Sequence, residues 1–303
     1  MSGLSMQIGI ALLVIGPMLA GVFIAGFLLR RRKAQVRARR KSPIGFDLLR
    51  PPGHSLGERI ELLREDVSEK LIWLMLLPTT TIALYFGQIA LLGDGMTTSR
   101  TAPIFGVAAA AGVAYCVRQL LRTATELDRL KAGYDAELAV GQELNQLMRQ
   151  GAWVFHDLPG EQFNIDHVVV ASQGVFAVET KGYTKKAEGD GKKNATVVFD
   201  GSKLTFPTYS TTTPLDQAAR QAKWLAEWLS SATGTRVGAI PVLALPGWFV
   251  RPDGEGPVIV LSGRMLHLLL DRRPSQSLSE QTIQQIVHQL GQRCRDVKPH
   301  YSR

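Results

Sequence analysis

Cysteine is scarce: in 303 residues only Cys116 and Cys294 occur. Two thiols so far apart give no disulfide framework and no CxxC pair of zinc ligands, which suits a reducing compartment. Aromatic residues are few, at 7%, and no internal repeat is visible. Charge is missing altogether from residues 6–29 (MQIGIALLVIGPMLAGVFIAGFLL). Acid is missing from residues 30–41 (RRRKAQVRARRK), which hold eight Lys or Arg. Those eight leave only +1 of the formal net charge of +9 for the rest of the chain. A globally basic, nucleic-acid-coating surface is thereby excluded, and any nucleic-acid contact has to come from a local site. The basic stretch suits anionic lipid headgroups, or is simply a solvated flank of an apolar segment.

The apolar residues concentrate before about residue 121. Residues 6–29 are long enough, at ~1.5 Å per residue, to cross a hydrocarbon core of roughly 30 Å. The preceding MSGLS lacks the basic start of a signal peptide, so a retained anchor is expected. A second run covers 71–92 and a third covers 102–117, extended to 121 if Arg118 snorkels. Gly106 and Ala110 give the third run a small-residue face for a neighbouring helix, and a buried soluble helix is its alternative. The link 93–101 has Arg100 as its only base. The positive-inside rule therefore places the first loop and the C-terminal domain in the cytoplasm, with the N-terminus outside.

Between the first two runs, residues 55–70 (SLGERIELLREDVSEK) carry Ile60, Leu63 and Val67 at helical spacing. They predict an amphipathic helix for packing or lipid contact, with no chemistry of its own. After the membrane region 1–121 comes a polar helical stalk, 122–132, which Gly133 is expected to interrupt. A domain over 133–303 follows. It opens with a helix at 134–150 whose inner side is Leu138, Gly141, Leu144 and Leu147–Met148. Strands are expected at 153–156, 164–171 and 175–181, the last two joined by a tight Ser172-Gln173-Gly174 turn. A hairpin over 196–206 turns at Asp200-Gly201. Pro214 opens a helix to Ser230 with Ala218, Ala222, Leu225 and Leu229 inward. Strands at 236–245 and 257–261 and helices at 264–271 and 279–294 complete an α/β pattern with a mixed sheet.

One strand does not read as plain core. Side chains alternate along a strand, so Glu179 and Lys181 share a face in GVFAVETKGY, where burying charge is costly. On the preceding strand Asp166 shares its face with Val168 and Val170. A tight hairpin makes the two strands neighbours and lets Asp166 and Glu179 converge. Two carboxylates on adjacent strands make a hard-oxygen site for Mg²⁺ or Mn²⁺. Such a metal stabilises charge on a scissile phosphate and lowers the pKa of a bound water, and Lys181 would serve that water or pair with a phosphate oxygen. Solvated charges on an exposed strand face are the alternative. His167 points away from Asp166 and reads as a packed or hydrogen-bonding residue. Trp224 and Trp228, four apart on a helix, read as packing residues. Lys185-Lys186 and Lys192-Lys193 form a basic loop suited to phosphates or merely solvated.

GYDAELAVGQEL, NIDHVVV, GVFAVETKGY and PLDQAARQAKWL occur in that order. Together, over about residues 131–245, they resemble the NERD (nuclease-related domain) family of the PD-(D/E)xK nuclease superfamily. The resemblance implies a metal-dependent nuclease that hydrolyses DNA or RNA. Glu137 matches the helix glutamate, Asp166 the strand aspartate, Glu179 and Lys181 the ExK pair, and Gln217 the glutamine of the later helix. Asp166 and Glu179 would hold the metal with Glu137 assisting, and Gln217 would position substrate or Lys181. Thr180 stands where an aliphatic residue is usual. Membrane anchors accompany such domains in bacterial proteins, so a bacterial inner-membrane location is implied. A non-catalytic, membrane-tethered nucleic-acid-binding or scaffold module is the alternative, and a lipid-surface sensor driven by 30–41 is a third reading.

Overall fold

The computed structural model describes residues 21, 24–32, 34, 35, 42–92, 96–185, 192–271 and 278–299. Most of the expected first span (6–20, 22 and 23) lies outside the described residues, as do Lys33 and 36–41 of the basic stretch and Lys186 of the basic loop. The chain forms two compact units. One contains Glu61–Leu127, and the other joins Phe46–Ile60 to Asp128–Pro299.

The first unit holds α1 (His54–Leu92) from Glu61 on, with the apolar run 71–92, and α2 (Met96–Gln146) as far as Leu127, with the run 102–121. Both helices are long and apolar enough to cross a membrane. Ile104 and Val107 are 66% and 69% exposed, so the third run is not a buried soluble helix. Pro78 lies inside α1 and removes one backbone donor. The hydroxyls of Thr79, Thr80 and Thr81 donate to the carbonyls of residues 75–77 beside it. The small residue that meets a neighbour is Gly112, whose Cβ position lies 3.6 Å from Leu77. Gly106, expected to do this, has nothing within 4 Å.

Gly133 does not interrupt α2. The helix runs through it to Gln146 and closes in a short 3₁₀ turn capped by Gly151 at φ 86°. A mid-helix glycine costs only ~1 kcal/mol, and here the missing side chain leaves room for Leu56, 3.3 Å from the Cβ position. The buried stripe of this helix is Val140, Gly141, Leu144 and Leu147, whereas Met148 is exposed.

The second unit is built on a five-stranded sheet of order β10-β8-β4-β3-β2. The strands are β2 (Trp153–Pro159), β3 (Asn164–Ala171), β4 (Gly174–Thr180), β8 (Ala239–Leu245) and β10 (Ile259–Ser262). The first three form an antiparallel meander, and β4, β8 and β10 run parallel. Helices cover both faces, which is why β4 is buried along its whole length. On one face Val175 and Ala177 pack with Ala222, Leu225 and Leu229 of α3 (Thr213–Thr233) and with Ile283, Ile286 and Leu290 of α4 (Glu280–Arg293). On the other, Phe176 and Val178 pack with Val140, Leu144 and Leu147.

A second sheet, β7-β6-β5-β9, combines the expected 196–206 hairpin (β5, Thr196–Phe199; β6, Leu204–Thr205) with β7 (Ser210–Thr211) and β9 (Phe249–Pro252). Phe206 and Trp248 join it to Leu215, Ala218 and Leu243 in a third core. Finally β1 (Leu48–Leu49) pairs with β11 (Arg295–Val297). The stretch before α1 is thus a working part of this unit.

Candidate active site

The β2–β3 ladder pairs His156 with His167 and Leu158 with Ile165. Between them sit Asp157 and Asp166. Asp157 is the one non-glycine with positive φ, 51°, among the described residues, and aspartate tolerates that region better than most side chains. The β3–β4 ladder stops at His167 and Val178. One step further in the same register, Asp166 stands opposite Glu179. The Asp166 side chain takes over there: its Oδ2 accepts a hydrogen bond from the Thr180 backbone N–H at 2.6 Å. The aspartate is therefore pinned to the strand that carries Glu179 and Lys181.

Glu179 is 1% exposed, one residue before the end of β4. Its Oε1 pairs with the Lys181 ammonium at 2.5 Å. Its Oε2 is buried with no hydrogen-bond partner. The ion pair answers the cost of placing two charges on this strand, since a buried charge needs a partner, and the remaining oxygen is left for something else. Burial pulls the Lys181 pKa down, but the Glu179 carboxylate outweighs it and holds the ammonium above its ordinary value. Lys181 is thus held as a cation against Glu179.

Glu137 arrives from α2, which crosses the end of β4 closely. A Cβ on Gly182 would lie 2.7 Å from Ala136 and 2.9 Å from the Ala132 carbonyl, so glycine is needed there. Burial, then the charges of Asp157 and Glu179, push the Glu137 carboxyl up to about 8. Burial, then Glu179 and Glu137, raise Asp166 well above the carboxylate range. Glu137, Asp166, Glu179 and Lys181 thus form one electrostatic cluster. Among the described residues no three His, Cys, Asp or Glu side chains converge tightly enough to form a ready-made metal cage. The residues nonetheless fit a divalent cation held by few protein ligands: one buried carboxylate oxygen is orphaned, and two carboxyls resist ionising because they are buried and like charges stand beside them.

The raised carboxyl has a consequence for stability. Between about pH 4.5 and 8 the folded chain keeps a proton on Glu137 that the unfolded chain has lost, so stability falls as pH rises through that window. Glu137→Gln is expected to raise the melting temperature at about pH 8 by roughly 2–8 °C. The gain should shrink toward about pH 5. Thermal melting in detergent with a chelator checks this, and an equal change at both pH values would contradict it.

Gln217 is half-buried on α3. Gln221, one turn on, is buried, donates from Nε2 to the Asn164 carbonyl at 3.1 Å and leaves Oε1 without a partner. It was legible as the one polar residue in the stripe Ala218, Ala222 and Leu225. Also missed was Arg50. Its guanidinium bonds Asp296 through Nε (2.8 Å) and Nη2 (2.7 Å), and Asp157 through Nη1 (2.8 Å). Asp157 further accepts from the Ser55 hydroxyl and from Asn164. The Pro51-Pro52-Gly53 turn beside Arg50 reaches the cluster, since the Cβ position of Gly53 lies 3.7 Å from Glu137 Oε2. His167 is a packing residue: its Nδ1 meets His156 Nδ1 at 2.9 Å, and His156 Nε2 meets Asn145 at 3.0 Å. Burial keeps both rings neutral. Trp224 and Trp228 stack on each other and take Arg293 over their rings, a helix-packing arrangement.

No curated protein and no solved structure matches the chain. Residues 132–246, which hold Glu137, Asp166, Glu179, Lys181 and Gln217, match the family model described as nuclease-related domain. That stretch of the chain is similar to the nuclease-related domain (NERD) family.

Proposed function

We propose that the protein is a membrane-anchored, metal-dependent nuclease that hydrolyses phosphodiester bonds of DNA or RNA on the cytoplasmic side of a bacterial inner membrane. The observation that carries this reading is the buried Glu179, paired to Lys181 through one oxygen and orphaned at the other, opposite Asp166. Asp166 and Glu179 would hold Mg²⁺ or Mn²⁺, with Glu137 assisting; a bound cation there lowers the pKa of water and offsets charge on the phosphate. Lys181 donates hydrogen bonds, orienting the attacking water or a phosphate oxygen. Burial and its charged neighbours hold the Glu137 carboxyl above its ordinary range, and a cation bound there would favour its ionised form. Gln217 positions substrate, with Gln221 fixing the strand end beneath it.

The test is incubation of the full chain in detergent with single- and double-stranded DNA and RNA, with and without Mg²⁺ or Mn²⁺. Metal-dependent strand cleavage is expected, and Asp166→Ala should abolish it while weakening metal binding. Binding of nucleic acid without cleavage under every condition would establish the scaffold reading instead. For the location, a reporter fused after Arg303 is expected to read as cytoplasmic, and release of the protein by a salt wash would end the membrane-anchor reading.

A further inference from the structure

The ExK strand leads directly into an aromatic array that packing alone does not account for. Two residues past Lys181, Tyr183 lies near enough to share electrostatic interactions with Lys181 and Glu179. Its ring meets Phe206 edge-on at 4.9 Å and Tyr209 at 6.3 Å. Its carbonyl accepts from the Trp248 indole N–H at 3.0 Å. Phe206 and Trp248 are core residues, 3% and 6% exposed. Tyr209 is not: it is 45% exposed, although its ring lies on Phe206 with centroids 4.8 Å apart and planes only 14° from parallel. One side of the Tyr209 ring is thus backed by a buried aromatic, while the residue as a whole stays open to solvent.

The ring is also held in place. Tyr209 closes a turn in which the Phe206 N–H donates to its carbonyl at 2.8 Å, and β6 and β7 ladder on either side of that turn. A stacked, prearranged aromatic loses little freedom when a ligand arrives. Cations stand nearby: Lys181 along the chain from Tyr183, and Lys185, whose ammonium lies 5.6 Å from the Trp248 ring centroid. An aromatic array with a lysine against one of its rings fits a flat π-system attached to a phosphate, which is a nucleotide with its base free. Bases inside a duplex have both faces covered by neighbours, whereas unpaired bases offer a face to an aromatic side chain.

We propose that Tyr209, backed by Phe206 and flanked by Tyr183, is a stacking platform for an unpaired base near the phosphate gripped at Lys181, so that the substrate is single-stranded nucleic acid. This rests on the nuclease reading for the identity of the phosphate site. The hairpin that carries β6 and β7 then serves substrate selection rather than hydrolysis.

The experiment is fluorescence anisotropy on the full chain in detergent with EDTA present, so that no strand is cut. The probes are one labelled oligonucleotide as single-stranded DNA, its single-stranded RNA counterpart, and the same DNA as a duplex. Wild-type protein is expected to bind single strands more tightly than the duplex. Tyr209→Ala should weaken single-strand binding by about 5- to 100-fold, the range of one lost base–aromatic stack. The duplex should change less than about twofold, and Tyr209→Phe, which keeps the ring, should stay near wild type. Matching melting temperatures of the three proteins exclude misfolding. Equal single-strand affinity of wild type and Tyr209→Ala overturns the proposal. So does an equal loss on duplex and single strand, and so does a wild-type protein that binds neither. A chain that never cuts but loses single strands on Tyr209→Ala upholds the platform and overturns the hydrolase reading. A chain that cuts while Tyr209→Ala binds as wild type does the reverse.

Discussion

Lys181→Ala is expected to lower metal-dependent cleavage on the order of 10²-fold or more, the scale of a positioned proton-handling or charge-stabilising group, while Mg²⁺ affinity is largely retained. The substitution leaves both Asp166 and Glu179 in place and removes only the cation 2.5 Å from Glu179. It also leaves a carboxylate that is 1% exposed without its partner, and an unpaired buried charge is strongly destabilising. Loss of activity through unfolding therefore has to be separated from loss of chemistry. Added Mg²⁺ should restore the melting temperature of the variant, because a cation between the carboxylates replaces the lost positive charge, yet it should not restore cleavage. Single-turnover cleavage and melting, both run across a Mg²⁺ titration, read the two effects. A variant that melts like wild type in Mg²⁺ and cleaves at the wild-type rate would remove Lys181 from the chemistry.

Arg50→Ala is expected to destabilise the second unit by about 3 kcal/mol, the lower end for breaking a buried ion pair from one side. Arg50 ties three distant stretches together: its own segment before α1, Asp157 on β2 and Asp296 on β11. The Asp296 bonds hold the guanidinium firmly charged, and Arg50 in turn keeps the Asp296 carboxyl below its ordinary range. Without Arg50, the Asp157 side chain, 4% exposed, keeps only the neutral donors Ser55 and Asn164. Asp157→Asn in the same background should recover part of the loss, since it removes the stranded charge. Thermal melting in detergent together with limited proteolysis around residues 46–60 checks this. An Arg50→Ala protein that melts with wild type would show the segment before α1 to be dispensable for the unit.

The sequence by itself determined the elements whose signal is local. Alternation and a Gly-containing turn marked the β3–β4 hairpin, helical spacing marked Ala218 to Leu229, and runs of uncharged residues marked two long apolar helices. It also singled out Glu179 and Lys181, because two charges in an apolar strand are costly unless they serve each other or a ligand. Their pairing in space follows from the two-residue period of the strand, and Asp166 opposite Glu179 follows from the register of the hairpin.

Tertiary structure alone decided what depends on residues far apart in the chain. Gly133 looked like a break, but a helix tolerates glycine when a neighbour, here Leu56, needs the space. The segment 46–60 gave no sign of chemistry, since Arg50 acquires its meaning only from Asp157 and Asp296, more than a hundred residues away. Gln221 stands out in sequence only as a polar residue in an apolar stripe, and its role comes from the Asn164 carbonyl that it meets in space. Tyr183, Phe206, Tyr209 and Trp248 have no common spacing in sequence, and a second sheet was required to bring their rings together. Local periodicity encodes which face a side chain takes, but which faces meet is set by the packing of sheet and helices, and the site is made where they meet.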